Sequence, residues 1–463
     1  MLSNNDNIVA TLVRPNNLPS NAKIFCFSEL RHIWFLLVLN TMAYSRISIK
    51  LLPSFHCLFD KPVQIKVEGL APRQRVELRS KLVDDRGVIF KASAHYAADE
   101  SGQVDVSRSP SLGGSYTGVE PMGLFWAMAP ETPHSKLLKK NVLSPTLVEI
   151  GVLCEDTGEV LASETNERGF MTEGMRRIPL QEDRIRGVLF LPPGKGPFPG
   201  ILDLYTFGGG ICEPRASLLA SKGFAVLALA YYVFQDLPKT PPKHVDLEYF
   251  EEALTFLKRH PQVQGPGIGI LSSSHGCTFT LSMSSFLSGI SASVCINGCT
   301  LITLKPLHYK DIVIPPHMPN LKNIKITDSG LLDVSTCVSD PILEMNQDSL
   351  IPIERASCQF LFAASEDDRN WNSPLFAKRA TEMLRNHGKE TFELVQYPKA
   401  GHLLEVPYMP HCSSGFHGAV GTAVVFGGEP KAHSEAQLDL WLRVQEFFRK
   451  HLGNKNICQT AML

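Results

Sequence analysis

Ile268-Gly269-Ile270-Leu271-Ser272-Ser273-Ser274-His275-Gly276 is the stretch whose reading decides the fold. Its first half is a short apolar run of the kind a strand buried on both faces presents. The run leads directly into a serine set between small residues, and a helical stretch follows Gly276. This is a nucleophile elbow, G-x-S-x-G, with Ser272 in the place of the first glycine. The strand-to-helix turn is tight and strained, so small residues must flank the nucleophile, and serine is small enough to serve. Ser274 is therefore expected above the sheet edge, with Ser272 and Ser273 at the strand end. The backbone N–H of His275 is expected to point at a developing oxyanion from the start of the helix. The ring of His275 adjoins the nucleophile too closely in sequence to serve as its base. It is expected as a partly exposed side chain beside the pocket.

Outward from the elbow, apolar strand-like runs at 188–191, 201–204, 224–229, 292–296, 360–362 and 392–395 alternate with helical segments. One segment spans 215–220, and another is opened by Asp246, which is placed to cap it. Alternating strands and helices force a mostly parallel sheet covered by helices on both faces, an α/β hydrolase arrangement. Ligands on such a sheet bind beyond the carboxyl ends of the strands. Residues 51–170 read differently, as antiparallel β. Runs at 63–67, 76–82 and 88–96 alternate apolar and polar with period two, and Asp84-Asp85-Arg86-Gly87 forms a turn between two of them. Further strands are expected at 103–106, 124–128 and 146–154. Short strands separated by turns predict an all-β sandwich in front of the hydrolase domain, packing on it and shaping its entrance.

A serine hydroxyl needs a base to take its proton, and the base needs a partner that orients it. In α/β hydrolases these follow in the order Ser, acid, His. Glu366-Asp367-Asp368 lies just past the run at 360–364, and Gly401-His402 lies past the run at 392–395. Both fall on the same sheet edge as Ser274. His402 is the expected base, since Gly401 permits a loop that swings the ring toward the nucleophile. Acidic runs are usually solvated loop faces, so one carboxylate need be catalytic: Asp368 is favoured and Asp367 is the runner-up. A second oxyanion donor is expected from the glycine-rich loop after Leu204, at Phe207 or Gly208.

Composition limits the alternatives. With 45 basic and 46 acidic side chains the formal net charge is −1, which gives no whole-protein attraction to nucleic acid or anionic membrane. The eleven cysteines include no CxxC pair, which argues against a zinc ribbon or thioredoxin motif and for buried thiols in a reducing compartment. The apolar run at 33–39 is far shorter than the roughly 20 residues a bilayer requires. Residues 1–50 are expected as a variable or disordered extension and 454–463 as a flexible tail. Ala461-Met462-Leu463 is a distant variant of the S-K-L address. The cytosol is the first expectation for compartment and the peroxisome the second. No cofactor and no metal are called for.

Several stretches carry a family resemblance. Among them are Ser111-Leu112-Gly113-Gly114-Ser115-Tyr116, Glu120-Pro121-Met122-Gly123-Leu124, Arg215-Ala216-Ser217-Leu218-Leu219-Ala220, Asp367-Asp368-Arg369-Asn370-Trp371 and Gly427-Gly428-Glu429-Pro430. Across about 55–452 the chain resembles the type I acyl-CoA thioesterases and the related bile acid-CoA:amino acid N-acyltransferases. The resemblance implies a β-sandwich over 51–172, a hydrolase domain over 173–453, and a Ser–Asp–His triad matching Ser274, Asp368 and His402. The implied substrate is a fatty acyl-CoA thioester, a small-molecule partner in fatty acid metabolism. The chain departs from the family pattern at Ser272, at Cys277, and at Arg369, where histidine is usual. Within the family a cysteine elbow suits transfer to an amine, because its acyl-enzyme is a thioester. Serine gives an oxyester suited to attack by water. Ser274 thus points to hydrolysis, with amino acid N-acyl transfer, a general carboxylesterase and an inactive binding fold as the rival readings.

Overall fold

The computed structural model describes residues 46–205 and 209–453. The extension through residue 45, Phe207, Gly208 and Ala461-Met462-Leu463 lie outside the described residues.

In the β-rich half, strands Arg75–Val83 and Ile89–Ala97 pair antiparallel, with Val76 opposite Tyr96 and Leu78 opposite Ala94. Alternate residues of both strands are buried, as a sheet with one covered face requires. Asp84 closes the turn between them by accepting hydrogen bonds from the N–H groups of Arg86 and Val88. Gly87 there adopts a φ of +88°, which disfavours any side chain. Thr146–Cys154 and Val160–Gly169 extend this sheet, and His56–Leu58 adds a parallel edge. A three-stranded sheet of Ser48–Leu52, Gln64–Glu68 and Val104–Asp105 packs against it through a shared core that includes Ile49, Ile65, Leu78 and Ile150. Its first strand begins at Ser48, so sheet structure starts inside the 1–50 stretch given to the extension.

Residues 124–128, expected as a strand, instead include the short helix Gly123–Trp126. Leu124, Phe125 and Trp126 are all buried, without the alternation a strand would show. A short apolar run buried on all sides has no period by which to tell helix from strand.

The second half is built on an eight-stranded sheet. Its order is Arg176–Glu182, Ile185–Leu191, Ala225–Ala230, Phe198–Leu204, Val263–Ser273, Ile290–Ile296, Gln359–Ser365, Phe392–Tyr397. The first two pairings are antiparallel and the rest are parallel. The unbroken apolar runs follow from where successive side chains go. Ile201, Val226, Leu271 and Leu361 enter one core, while Leu202, Leu227, Ile270 and Phe360 enter a second core on the other face. Asp246 caps helix Leu247–Arg259 as expected, accepting the N–H of Glu248 at 3.0 Å.

The first of those cores continues into the β-rich half. Helix Pro430–Leu452 is the layer between them, contributing Leu440, Trp441, Val444 and Phe448. Trp441 Nε1 donates to Asp60 at 2.9 Å across the junction. On the sheet side Gly269 makes room for the helix: a Cβ there would lie 2.7 Å from both Leu452 and Phe448. Gly269→Val should therefore overpack this junction and lower stability by about 1–3 kcal/mol, read from the midpoint of urea unfolding. An unchanged midpoint would mean that the helix moves aside freely.

Candidate active site

Ser274 follows strand Val263–Ser273 at the start of helix Gly276–Phe286, with a φ of +53°. A β-carbon avoids that backbone region, so surrounding contacts must hold it. The Ser274 N–H donates to the carbonyl of Ile296 at 2.8 Å. A Cβ on Gly276 would lie 2.0 Å from the carbonyl oxygen of Tyr205, so the second glycine of the elbow is sterically required. Ser272, in the place of the first, is fully buried and its hydroxyl donates to the carbonyl of Val294 at 3.2 Å. The substitution is therefore accommodated with its polar group satisfied.

The three sequence-predicted residues meet. Ser274 Oγ lies 2.9 Å from His402 Nε2, and His402 Nδ1 lies 2.7 Å from Asp368 Oδ2. With Nδ1–H donating to the carboxylate, Nε2 is left to accept the serine proton. Asp368 Oδ1 accepts the N–H groups of Asn370 and Trp371 at 2.8 and 3.0 Å, and Oδ2 accepts the Ser373 hydroxyl at 2.5 Å. All three residues are buried. Asp367 faces elsewhere: its oxygens take Arg369 Nε at 2.7 Å and the Gly428 N–H at 2.8 Å. Arg369, the departure from the family pattern, is thus paired with Asp367 and also approaches Asp333 at 3.5 Å.

Gly401 matters for a different reason from the one expected. A Cβ there would lie 2.2 Å from the carbonyl oxygen of Gly427, so close backbone packing rather than loop freedom demands glycine. The expectation of a partly exposed His275 is also corrected. Its ring is buried and packs edge-on against Phe279 at 5.0 Å, because the first helical turn carries it under the sheet edge. Burial pushes its pKa down to about 4, so the ring is neutral.

Nothing in the residue pattern singles out Asn297. It is fully buried at the end of strand Ile290–Ile296, with a φ of +51°. Its Oδ1 accepts the Ser365 N–H at 2.7 Å, and its Nδ2 donates to the carbonyl of His402 at 2.8 Å. One amide thus ties the ends of neighbouring strands to the segment carrying the imidazole. The pair Asn297-Gly298 after an apolar run is the only trace, and it reads as an ordinary turn.

A cavity of about 490 Å³ opens at Ser274 and His402, lined from both halves of the chain. Lys136 arrives from the β-rich half, and its Nζ and the Tyr205 hydroxyl converge on Glu405 Oε1. Burial works against charge on Glu405, but Lys136 and Tyr205 more than offset it and hold the carboxyl below its ordinary range. Arg215, buried, pairs with Asp203 and donates to Ser273 Oγ at 2.6 Å, bracing the strand end below Ser274.

Comparison with known proteins places this geometry. Residues 60–182 match the family model for the acyl-CoA thioester hydrolase/BAAT N-terminal region, and residues 245–454 match its BAAT/acyl-CoA thioester hydrolase C-terminal counterpart. Acyl-coenzyme A thioesterase 5 of Mus musculus is 49% identical over 409 residues, covering 88% of this chain and 97% of that protein. The chain belongs to the acyl-CoA thioester hydrolase/BAAT family. Acyl-coenzyme A thioesterase 1 of Rattus norvegicus is 49% identical, covering 88% of this chain and 98% of its own length. The mitochondrial acyl-coenzyme A thioesterase 2 of Homo sapiens is 46% identical, with 94% and 90% covered. Within the family frame, Ser274, Asp368 and His402 all fall in the C-terminal region, whereas Lys136 belongs to the N-terminal one.

Acid should loosen this site. His433 accepts the Gly401 N–H at 3.1 Å through Nδ1 and donates to the Leu403 carbonyl at 3.0 Å through Nε2, so only its neutral form fits. Burial pushes its pKa down to about 3, and that of His417 beside the cavity down to about 4. In the unfolded chain both protonate near 6.5, so below that pH the unfolded state binds more protons. Their contribution is full above about pH 6.5 and is lost as pH falls toward 4 and 3, at about 1.4 kcal/mol per pH unit for each ring. Urea unfolding across that range should show the slope, and His433→Gln should reduce it. Stability that stays flat down to pH 5 would contradict the assignment.

Proposed function

We propose that this chain performs its family's acyl-CoA thioester hydrolysis in two steps through an acyl-enzyme on Ser274. The observation that carries the reading is the unbroken hydrogen-bond chain from Ser274 Oγ through His402 to Asp368. Ser274 Oγ attacks the thioester carbonyl as its proton passes to His402 Nε2, and a C–O bond forms. Negative charge builds on the carbonyl oxygen and is met by the backbone N–H of His275, with a second donor from Phe207 or Gly208. The C–S bond then breaks and coenzyme A leaves as the thiol, taking the proton from His402. In the second step His402 accepts a proton from water, the hydroxyl adds to the ester, and the fatty acid departs as the proton returns to Ser274. Asp368 keeps Nδ1–H in place and stabilises the imidazolium at each stage.

Serine rather than cysteine at the elbow supports water as the acceptor, since an oxyester resists aminolysis more than a thioester does. The partner is a small molecule. Among the described residues no helix is long and apolar enough to cross a membrane. Among the described residues six free cysteines are buried, which supports a reducing compartment, the cytosol first and the peroxisome second.

Palmitoyl-CoA incubated with and without glycine or taurine, with products identified by mass spectrometry, tests the reading. Free fatty acid and coenzyme A, unchanged by the amine and lost in Ser274→Ala, are expected. Asp368→Asn should lower kcat by roughly 10³-fold or more, because the carboxylate sets the imidazole tautomer. An N-acyl amino acid as main product would replace hydrolysis with transfer.

A further inference from the structure

A second cavity, of about 360 Å³, lies on the far side of His275 from the cleft described above. Its walls are largely aromatic and aliphatic, with Tyr232, Leu237, Val245, Phe250 and Phe279 around the His275 ring. Phe279 anchors it, packed on Phe250 at 5.1 Å and on His275 at 5.0 Å. The two cavities are lined by neighbouring residues. Gly209 lines the cleft at Ser274, and a Cβ on it would stand 2.6 Å from the Tyr232 ring, which lines the apolar cavity. Ser274 and His275 are consecutive and face one space each.

The chemistry on the two sides differs. The cleft at Ser274 is edged by Arg86 and by the Lys136–Glu405 ion pair, a polar lining with two cations to one carboxylate. The cavity beyond His275 offers apolar surface to a ligand that can lose water there. The ring of His275 is neutral; the charged side chains that also line the cavity are Arg184 and Asp246, paired with each other at 2.7 Å, and Lys305. An acyl-CoA has the same division, a polyanionic nucleotide and an apolar tail on either side of one carbonyl.

We infer that the cavity walled by His275, Phe250 and Phe279 receives the alkyl chain of the acyl group, while coenzyme A occupies the cleft between the two halves. The assignment rests on the hydrolase reading above and adds to it the direction in which the substrate lies. Chain-length preference then resides in Leu237 and Val245. Both are only partly buried; Leu237 lies apart from the core, whereas Val245 rests against it.

The test uses Leu237→Trp and Val245→Trp in the full chain, with two readouts. The first is binding of cis-parinaric acid, a fluorescent fatty acid, which needs no turnover. The second is kcat/KM across a series from acetyl-CoA to palmitoyl-CoA. Both variants should weaken parinaric acid binding at least tenfold. They should lower kcat/KM for palmitoyl-CoA by roughly fourfold for each methylene excluded, with acetyl-CoA turnover unchanged. Parinaric acid bound as tightly by both variants as by the original chain overturns the assignment, as does an equal loss on acetyl- and palmitoyl-CoA. Binding that is lost in the variants while no thioester is turned over by any form would support the cavity and sink the serine-hydrolysis reading instead.

Discussion

At Gly276 there is room for a hydrogen atom against the Tyr205 carbonyl and for nothing larger. That approach lets helix Gly276–Phe286 start hard against the end of strand Phe198–Leu204. Ser274 is thereby turned into a left-handed conformation. Strain of this kind costs of order 1–3 kcal/mol, and a buried hydrogen bond to Ile296 and the packed helix behind it hold it in place. With the turn fixed, the serine hydroxyl points out of the sheet edge where two later strand ends deliver an imidazole and a carboxylate. A looser turn would leave the same three residues in the chain without bringing them into register.

Much of this was legible in the amino-acid order because it depends on local pattern. The apolar run ending in Ser272-Ser273-Ser274-His275-Gly276 specifies strand, turn and helix together, and period-two alternation at 76–82 specifies a half-buried strand. Asp368 and His402 were legible because each lies just past a strand that must be parallel to the one before Ser274. Where local pattern is silent, expectation and structure part. The apolar stretch after Gly123 has no alternation and became a helical turn. His275 looked like a surface neighbour because nothing in the sequence shows the aromatic ring of Phe279 waiting beneath it. Asn297 acts through its amide on a carbonyl far along the chain, and no spacing reports that.

The same limit hides the composition of the cleft. Lys136 and Glu405 are far apart in sequence, yet their charged ends meet in the cleft that Ser274 lines. A buried pair of this kind is weak evidence for stability, since desolvating both groups consumes much of their attraction. Its structural effect is clearer: the β-rich half supplies part of the wall of the cleft at Ser274 and grips Tyr205, the residue leading into the glycine-rich loop. Arg168 shows a comparable logic away from the site. It is fully buried, flanked by Phe59, Phe125 and Tyr408, and its guanidinium donates to the carbonyls of Phe59 and Lys61 and to Asn166 Oδ1, while its buried Nε has no partner among the described residues.

The layer formed by helix Pro430–Leu452 gives the chain a particular kind of indivisibility. This helix follows both halves in sequence yet packs with the inner surfaces of both, so neither half buries its inner surface until the helix has been made. A ribosome releasing the β-rich sheets early exposes apolar faces that this later helix will cover. Recombination between relatives that cuts after the sandwich would separate Asp60 from Trp441 and Lys136 from Glu405 unless the incoming piece kept both partners. The two halves are therefore inherited as a matched pair, and variation in one is constrained by the other.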